Sequence, residues 1–426
     1  MSVKRFLLSP DQNNLPLIDL LLRIALLPFL LRTFYRTVES GLGWMRGYDG
    51  YIIGDWLINY QGGFVRRGFL GEGLLHLRAL SGIPLNSLAM GLQLLLYGLI
   101  FGGAAIILLK TETIAPYLLL IFSPFLFRFQ LQGFRVGFRK EILAFALLAC
   151  ITYAVIYFGD RLFELVFILA LSIYPLLILS HETLILLMPY FIVLYTIRQP
   201  LNRATILRLG SISFLSVLAL LAALVYKGGP IQPLIICQSL LPEIMPDCTT
   251  HNTAIGLLNA SATETRQQVL TFVNDPMFLV RYGLSIFLAA IAFLPFLKTF
   301  KSLVSHKALI VLLLLSLSGT VILGAVAVDW DRFLYLHLMA LFFLSLAKRN
   351  QQVKPQTVTA LVWKRWNQLR QHPPRPGQYA IVVLLAIATF IYAKGWYITS
   401  CCVLQYGYLP LSRFGIDLVQ LFLPSS

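Results

Sequence analysis

Long uninterrupted apolar stretches are the feature that most restricts how this chain can fold. They run for about 15 to 22 residues without the apolar–polar alternation that strands of an outer-membrane barrel would show. Only 12% of the 426 residues are charged and 58% are hydrophobic, whereas an average soluble domain is about a quarter charged. We therefore expect an all-α polytopic integral membrane protein. A soluble enzyme, a disordered chain and a small disulfide-rich scaffold are all excluded.

The hydropathy pattern predicts about eleven transmembrane helices in a single transmembrane domain covering residues 1–426. Segment 113–127 is short for a span, so it is either a complete span or a broken or re-entrant helix. The predicted spans are roughly 15–35, 88–109, 113–127, 142–158, 162–179, 183–197, 205–226, 278–297, 308–328, 333–347 and 379–394.

The distribution of basic residues predicts the orientation. The net charge is +16, and we assign this excess to cytoplasmic loops and the anionic inner leaflet, with no nucleic acid partner. With the N-terminus in the cytoplasm, segment 348–378 lies inside and forms a basic amphipathic helix on the membrane surface. Segments 36–87 and 227–277 are then outer loops. The outer segments 36–87 and 128–141 still keep nine basic side chains, which favours a site for an anionic ligand.

The first polar cluster lies in the Gly-rich stretch 47–73, which has eight glycines in 27 residues. Glycine allows the backbone to approach a ligand closely. Two carboxylates flank an arginine pair, and the aromatic rings either stack on sugar faces or anchor the chain at the membrane interface. The candidate site residues in this stretch are Asp49, Asp55, Trp56, Tyr60, Arg66 and Arg67.

Three further clusters fall on the same predicted face, and 13 of the 18 acidic residues lie on that face as well. Arginine grips phosphate oxygens with two parallel hydrogen bonds, and charged groups at a membrane edge are often functional. We therefore expect a site at the outer membrane–water boundary for a substrate with a lipid tail and an anionic head. The candidate residues are Arg135, Arg139 and Lys140, then His181 and Glu182, then Asp329, Asp331 and Arg332.

Metal and cysteine chemistry adds little to this picture. The six histidines and five cysteines show no metal-binding spacing, so we expect no metal requirement and no cofactor, although Asp49 with Asp55 could hold one divalent cation. A disulfide is permitted between Cys237 and Cys248 in the outer loop, but spacing alone does not establish one. The pairing of Cys401 and Cys402 also stays open.

The stretch Asn59–Gly68, together with Arg139–Glu141, His181–Glu182 and Asp329–Phe333, resembles bacterial polysaccharide polymerases of the Wzy and EpsG type. These are membrane-embedded, GT-C-like glycosyltransferases that make O-antigen, capsule or exopolysaccharide. The resemblance implies joining of undecaprenyl-diphosphate-linked repeat units on the outer face of the bacterial plasma membrane. Its implied partners are the lipid-linked oligosaccharide, membrane lipids and a chain-length regulator.

In the expected reaction, a sugar hydroxyl attacks the anomeric carbon of a second lipid-linked glycan. Asp55, or else Asp49, accepts the hydroxyl proton, with Glu182 in reserve and His181 orienting the acceptor. The cations that neutralise the leaving diphosphate are Arg66, Arg67, Arg135 and Arg139.

Three alternatives stay open. The first is a transferase that adds a single sugar from a polyprenyl-phosphate donor. The second is a flippase or exporter of lipid-linked glycans, which would place charges along its spans. The third is an acyltransferase with His181 as its base.

Overall fold

A computed structural model describes residues 15–47, 50–132, 137–226, 228–240, 248, 253–259, 262–274, 276–303, 307–327, 329–351 and 357–394. Two predicted site residues, Asp49 and Arg135, lie outside the described residues, as do Cys401 and Cys402. Within the described ranges the regular structure is helical and contains no β-strand.

The α-helices form wherever the apolar stretches run uninterrupted, and several begin at Pro, Asn, Asp or Thr residues that suit a helix start. In chain order they are α1 Leu15–Gly47, α2 Ile52–Leu57, α3 Gly68–Ser81, α4 Leu85–Lys110, α5 Leu118–Phe122, α6 Phe129–Gln132, α7 Glu141–Tyr157, α8 Asp160–Ser180, α9 Met188–Arg198, α10 Arg203–Val225, α11 Gln232–Leu240, α12 Ala262–Val273, α13 Pro276–Phe293, α14 Leu297–Leu303, α15 Lys307–Gly324, α16 Trp330–Asn350, α17 Val358–Gln371 and α18 Pro376–Lys394. Short 3₁₀ helices occupy Ala115–Tyr117, Glu182–Leu187, Gly256–Asn259 and Leu294–Phe296.

Seven helical stretches in the described part of the chain are long and apolar enough to cross a membrane. The protein is therefore a polytopic helical membrane protein, and each of the seven coincides with one of the predicted spans. The seven are Leu85–Lys110, Asp160–Ser180, Arg203–Val225, Phe278–Lys301, Lys307–Gly324, Trp330–Asn350 and Pro376–Ala393.

The other four predicted spans take different forms. Helix α1 has 33 residues, but Asp19, Arg23 and Arg32 interrupt its apolar character. Helix α7 is apolar but has only 17 residues. Segment 113–127 is broken into the 3₁₀ turn Ala115–Tyr117 and the five-residue α5. Segment 183–197 begins as a 3₁₀ helix and continues as α9, which has 11 residues.

The predicted outer loop 36–87 is mostly helical, and this corrects the description of it as a loop. It contains the end of α1, all of α2 and α3, and the start of α4. Within the described part of this segment, residues 50–51, 58–67 and 82–84 are not helical, and glycine explains the close packing at the turn 58–67. A Cβ on Gly71 would lie 2.0 Å from the carbonyl oxygen of Ile58, so α3 can pack this closely on the turn only with glycine there.

Helices α7 and α16 form the centre of the bundle. Helix α7 packs against α4, α8, α9 and α16, and most of α16 is buried. Aromatic rings fill the space between them: the ring centroids of Phe129 and Tyr335 are 4.2 Å apart, and Phe145 packs edge-on against Tyr335 at 4.9 Å. Such rings give dense packing where lipid supplies no hydrophobic driving force.

A charged lock lies at one end of the bundle, where α1 begins and α4 ends. The Asp19 carboxylate is 2.9 Å from Arg23 Nε and 3.1 Å from Arg365 Nε, and all three side chains are buried. Arg365 belongs to α17, so this lock fixes the amphipathic helix against α1 and α4. Trp363 and Trp366 face outward, 63% and 54% exposed, and the position of this helix at the membrane surface stays a prediction.

A strap formed by α11 and residues 253–259 lies at the opposite end of the bundle. A disulfide joins Cys237 to Cys248, with Cα atoms 5.9 Å apart. The sequence allowed this bond but did not establish it. The strap covers α2: Ala254 N donates to Gly50 O at 3.4 Å, and Asn59 Nδ2 donates to Ser239 Oγ at 3.0 Å.

Candidate functional site

The described members of the four predicted clusters come together at the strap end of the bundle. Arg67 is in ionic contact with Glu182, Arg139 with Asp55, and Arg332 with Asp329. These pairs join positions up to about 115 residues apart, because α7, α8 and α16 each have one end at this level. Burying a group of ionisable side chains costs free energy, which makes this cluster the candidate functional site.

Arg67 and Glu182 form the outermost pair. The guanidinium grips the carboxylate with two nitrogens, and Nε lies 2.9 Å from Oε2. Burial would raise the pKa of Glu182, but the charge and hydrogen bonds of Arg67, together with Arg66, hold that pKa well below its usual range. Glu182 is therefore a carboxylate committed to Arg67, which makes it a poor proton acceptor.

The backbone of Arg67 is strained. Its φ is +70°, and among the described residues it is the only non-glycine with positive φ. The strain lies here because α3 begins at the next residue, where a Cβ on Gly68 would lie 2.3 Å from the Tyr60 ring. Strain of this kind persists only where the surroundings impose it, and it concentrates at functional sites. The turn thus directs the Arg67 side chain toward Glu182.

Asp55 and Arg139 form the innermost pair. Arg139 Nε is 3.2 Å from Asp55 Oδ2, and the guanidinium carbon lies 4.9 Å from the centre of the Tyr51 ring. Burial would raise the pKa of Asp55, but Arg139, Lys140 and more distant arginines hold it below its usual value. Asp55 is therefore ionised, and it is fully buried.

His181 is a neutral acceptor at the centre of the cluster. Arg332 Nη2 lies 3.0 Å from His181 Nε2, and a guanidinium can only donate, so Nε2 must accept. With Nε2 accepting, the ring proton is assigned to Nδ1, which lies 2.7 Å from Thr183 Oγ1. The 3.4 Å approach of Thr183 N to the same nitrogen is then a contact and not a hydrogen bond. Burial and the neighbouring cations lower the pKa of His181 well below its usual value. The ring contacts Arg332, and its place among the catalytic residues stays a prediction.

Lys140 is a buried cation without a carboxylate partner among the described residues. Its Nζ donates to the backbone oxygen of Arg67 at 2.9 Å, and its side chain is fully buried. Burial lowers the pKa of Lys140 to about 8, with Asp55 opposing and Arg67 and Arg139 adding to that shift. Lys140 is therefore the cation in the cluster whose charge is most easily changed near neutral pH.

Several buried polar atoms in the cluster have no hydrogen-bond partner within the described ranges. Both carboxylate oxygens of Asp55 lack one, because Arg139 is in ionic contact without hydrogen-bond geometry, and Arg66 Nε and Tyr60 Oη also lack one. Oε2 of Glu141 and Oδ1 of Asp329 are two further acceptors of this kind. Because buried polar groups are normally paired, these atoms point to a polar ligand or ordered water.

The described part of the cluster has five basic and five acidic side chains. Arginines expected to be free for a diphosphate are largely committed to carboxylates. Arg66 is the loosest of them, with Nη1 3.9 Å from Glu182 Oε1 and Nη2 2.9 Å from the backbone oxygen of Leu258. The basic members are Arg66, Arg67, Arg139, Lys140 and Arg332, and the acidic members are Asp55, Glu141, Glu182, Asp329 and Asp331.

The predicted aromatic residues differ in their position. Trp56 is fully buried and its indole N–H donates to Phe138 O at 2.8 Å, so it packs the core and does not offer a ring face to a ligand. Tyr60 is half-buried and stacks on Phe64, with centroids 5.2 Å apart. Asp329 is partly exposed and 3.1 Å from Arg332, whereas Asp331 is buried in the first turn of α16.

Two members of the cluster were not chosen from the sequence. Glu141 accepts from Arg332 Nε at 2.6 Å, and its position directly after Arg139–Lys140, at the start of an apolar helix, was a signal that could have found it. Thr183 lies between His181 and Glu141. Nothing in its local sequence marks it, because only the fold brings its hydroxyl to both partners.

Among the described residues, no group of three His, Cys, Asp or Glu side chains is arranged to hold a metal ion. Asp49 lies outside those residues, so the predicted cation between Asp49 and Asp55 stays a prediction.

Comparison with known proteins adds no identification. No family model matches the chain, and neither the curated proteins nor the solved structures include a significant match.

Proposed function

We propose that this protein is a membrane glycosyltransferase that joins polyprenyl-diphosphate-linked oligosaccharide units. One observation carries the proposal: four ionic clusters, far apart in sequence, meet at one end of a helical membrane bundle and leave buried polar atoms unpartnered. A site at the end of the bundle suits a substrate whose lipid tail stays in the bilayer while its charged head reaches the cluster. A GT-C-like arrangement of the helices is part of the same proposal.

The proposed step forms one bond and breaks one. An acceptor hydroxyl oxygen attacks the anomeric carbon, the carbon–oxygen bond to the diphosphate breaks, and the electron pair leaves on the diphosphate. Asp55 takes the hydroxyl proton, with its two unpartnered oxygens available to accept it. Its lowered pKa makes proton transfer late, once the new bond has increased the acidity of the hydroxyl.

The cations act on the leaving group. Arg66 and Lys140 are the two that lack a close carboxylate partner within the described chain, so they are the first to meet a diphosphate. Arg139 and Arg67 add positive charge while remaining tied to Asp55 and Glu182. His181 contacts Arg332, so the acyltransferase alternative in which His181 is the base has less support.

The outer face of the bacterial plasma membrane is the location that we propose for the site. The Cys237–Cys248 disulfide lies in the strap that covers α2, and disulfides persist in oxidising compartments. This supports an outward-facing site with the N-terminus on the cytoplasmic side. Membrane lipids and a chain-length regulator remain the proposed partners.

A single-sugar transferase is the second candidate, and the charge balance favours keeping it. A polyprenyl monophosphate carries less charge than a diphosphate, so Arg66 and Lys140 alone would go far toward neutralising it. Flippase activity has less support, because the seven candidate spans carry few charged residues between their ends.

The test is an electrophoretic analysis of surface polysaccharide from a deletion strain. The strain is complemented with wild type, Asp55→Asn, Lys140→Met or a control, Arg36→Ala, whose side chain is exposed and pairs only with Glu39 among the described residues. Polymerisation predicts a long-chain ladder with wild type and Arg36→Ala, and a single repeat unit with the two site variants at equal expression. A full-length ladder with altered repeat units supports the single-sugar transferase. An unchanged ladder in the deletion strain would exclude both enzymes.

A further inference from the structure

We propose that Phe64 and Tyr226 form an aromatic shelf that binds the saccharide part of the substrate beside the ionic cluster. The proposal rests on the proposed function for its substrate class, and it assigns a second subsite to residues outside the cluster. Trp56, the ring first expected to stack on sugar, is buried in the core. The shelf supplies instead the exposed ring faces that sugar recognition needs.

The shelf is built from two elements that meet at the strap end. The rings of Tyr60 and Phe64 are stacked with centroids 5.2 Å apart, and Phe64 meets Tyr226 edge-on at 5.6 Å. Arg66 N donates to the Tyr226 backbone oxygen at 3.2 Å, which ties the end of α10 to the turn that carries the arginine pair. The shelf and the loosest cation of the cluster are therefore held together by one hydrogen bond.

The exposure of the side chains shows in which direction the cluster opens. Asp55 is fully buried, and the side chains of Arg67 and Arg66 are 19% and 22% exposed. Phe64 and Tyr226 are 42% and 58% exposed. Exposure thus rises from the carboxylate, past the arginine pair, to the shelf, so a ligand held at the arginines extends over these rings.

Polar groups suited to sugar hydroxyls lie beside the rings. Gln61 uses Nε2 to donate to Glu72 Oε1 at 2.8 Å, and Gln232 uses Oε1 to accept from Gly229 N at 2.6 Å. Each amide keeps its other polar atom without a partner in the described part of the chain. Their remaining atoms therefore offer one acceptor on the turn that carries Phe64 and one donor on the segment packed against that turn, and hydroxyl groups of a sugar can use both.

The turn that carries the shelf is closely packed, so the rings are held in position. A Cβ on Gly62 would lie 3.3 Å from Gln232 Cα. Gly228 has φ +86°, and a Cβ there would lie 2.9 Å from Val65 Cγ2. These two glycines let the turn approach the segment that leads from α10 into α11, which preorganises a binding surface.

An exposed aromatic residue can also anchor a protein in the membrane interface, and the two roles make different predictions at Phe64. An anchor needs an apolar side chain, so Phe64→Leu would behave like wild type. A stacking platform needs a ring face, so Phe64→Leu would behave like Phe64→Ala, and Phe64→Tyr would restore binding.

The experiment measures binding of free sugar and does not depend on turnover. Full-length protein in lipid nanodiscs is titrated with the water-soluble oligosaccharide released by mild acid from the polyprenyl-linked glycans of the host cell, and saturation-transfer NMR reports binding. We expect Phe64→Leu and Tyr226→Leu to weaken binding by roughly three- to tenfold, and Phe64→Tyr and Tyr226→Phe to stay near wild type. Tyr35→Leu is the matched control, because Tyr35 is 64% exposed on α1, away from the shelf.

Absence of binding to the wild type, or equal binding by wild type and Phe64→Leu, would overturn the shelf. The polysaccharide ladder of the preceding experiment is scored separately in the same variants. If the sugar-binding test rejects the shelf but the deletion strain still loses its polysaccharide ladder, the glycosyltransferase proposal stands. Normal sugar binding by a chain whose deletion changes no polysaccharide would support the shelf and reject that proposal.

Discussion

Arg332 Nη2 lies 3.0 Å from His181 Nε2, so the arginine fixes the tautomer of the histidine. Burial lowers the pKa of His181, and the neighbouring cations Arg67 and Arg332 lower it further. These contacts favour a supporting role for His181 in the proposed site.

We therefore expect His181→Gln to keep activity within about tenfold of wild type, because its amide can accept from Arg332 and donate to Thr183. His181→Ala leaves those two groups unpaired and destabilises the protein by about 1–3 kcal/mol. Thermal unfolding in detergent and the polysaccharide ladder check both variants. Complete loss of activity in well-folded His181→Gln would instead show that the ring takes part in proton transfer.

Two substitutions at Arg67 separate the effect of backbone strain on stability from the effect of losing the side-chain charge. Arg67→Gly relieves the positive φ of +70°, whereas Arg67→Ala keeps the strain, and both remove the partner of Glu182. We expect both to be destabilised, with Arg67→Gly more stable than Arg67→Ala by about 1 kcal/mol. Unfolding of the two proteins in parallel measures the difference. Adding Glu182→Gln to each should recover stability equally, since a buried unpaired charge is then removed.

The pKa of Lys140 predicts where activity falls on the alkaline side of the pH profile. Its pKa is about 8, so the side chain is a cation below that pH and becomes neutral above it. If the cation is needed to hold the diphosphate, activity falls as pH rises through about 8. Lys140→Arg keeps the charge and should move that limb to higher pH. An unchanged limb in an active Lys140→Arg protein would assign it to another group.

The same group contributes to stability with a definite sign. The pKa in the folded protein is lower than in the unfolded chain, so between the two values the unfolded chain binds more protons. The contribution of Lys140 to unfolding free energy therefore rises with pH from about 8 to the ordinary lysine value near 10.4. Comparing unfolding of wild type and Lys140→Met at the two ends of this window isolates that contribution.

The strap disulfide should stabilise the site end of the bundle. Loss of the Cys237–Cys248 bond frees a segment that contacts Asn59 and Arg66. We expect Cys237→Ser with Cys248→Ser to cost about 2–3 kcal/mol and to reduce activity. A reducing agent should have the same effect on the wild type and none on the double variant. Cys150→Ser is the control, since that cysteine is free.

The charged lock at the other end predicts unequal effects of its members. Asp19 is the single carboxylate shared by Arg23 and Arg365. Asp19→Asn leaves two buried arginines without their shared carboxylate and should lower the free energy of unfolding by about 3–5 kcal/mol. Arg365→Met leaves the Asp19–Arg23 pair intact and should cost less, mainly by releasing α17. Limited proteolysis after α16 checks that release. Equal loss in both variants would contradict the shared role of Asp19.

The sequence predicted which charged residues gather at the candidate site better than it predicted how they pair. The charged pairs Arg66–Arg67 and His181–Glu182 stood out because charge is rare between apolar stretches, and the structure brings them within contact of each other. The sequence could not show that Arg67 pairs with Glu182, or that Glu141 and Thr183 belong to the cluster. Trp56 was predicted to bind substrate because it is aromatic, but the fold buries its side chain.

Sequence alone determined that the chain is helical and lies in a membrane, because apolar stretches of this length satisfy their backbone hydrogen bonds only as helices. It also determined which residues are chemically capable of binding an anion. Tertiary structure decided how many apolar stretches become long straight helices, since proline and local packing divide 113–127 and 183–197 into shorter pieces. It decided the partner of each charge as well. Ionic partners and pKa values depend on distances of a few ångströms between helices, and those distances are set by how the bundle packs.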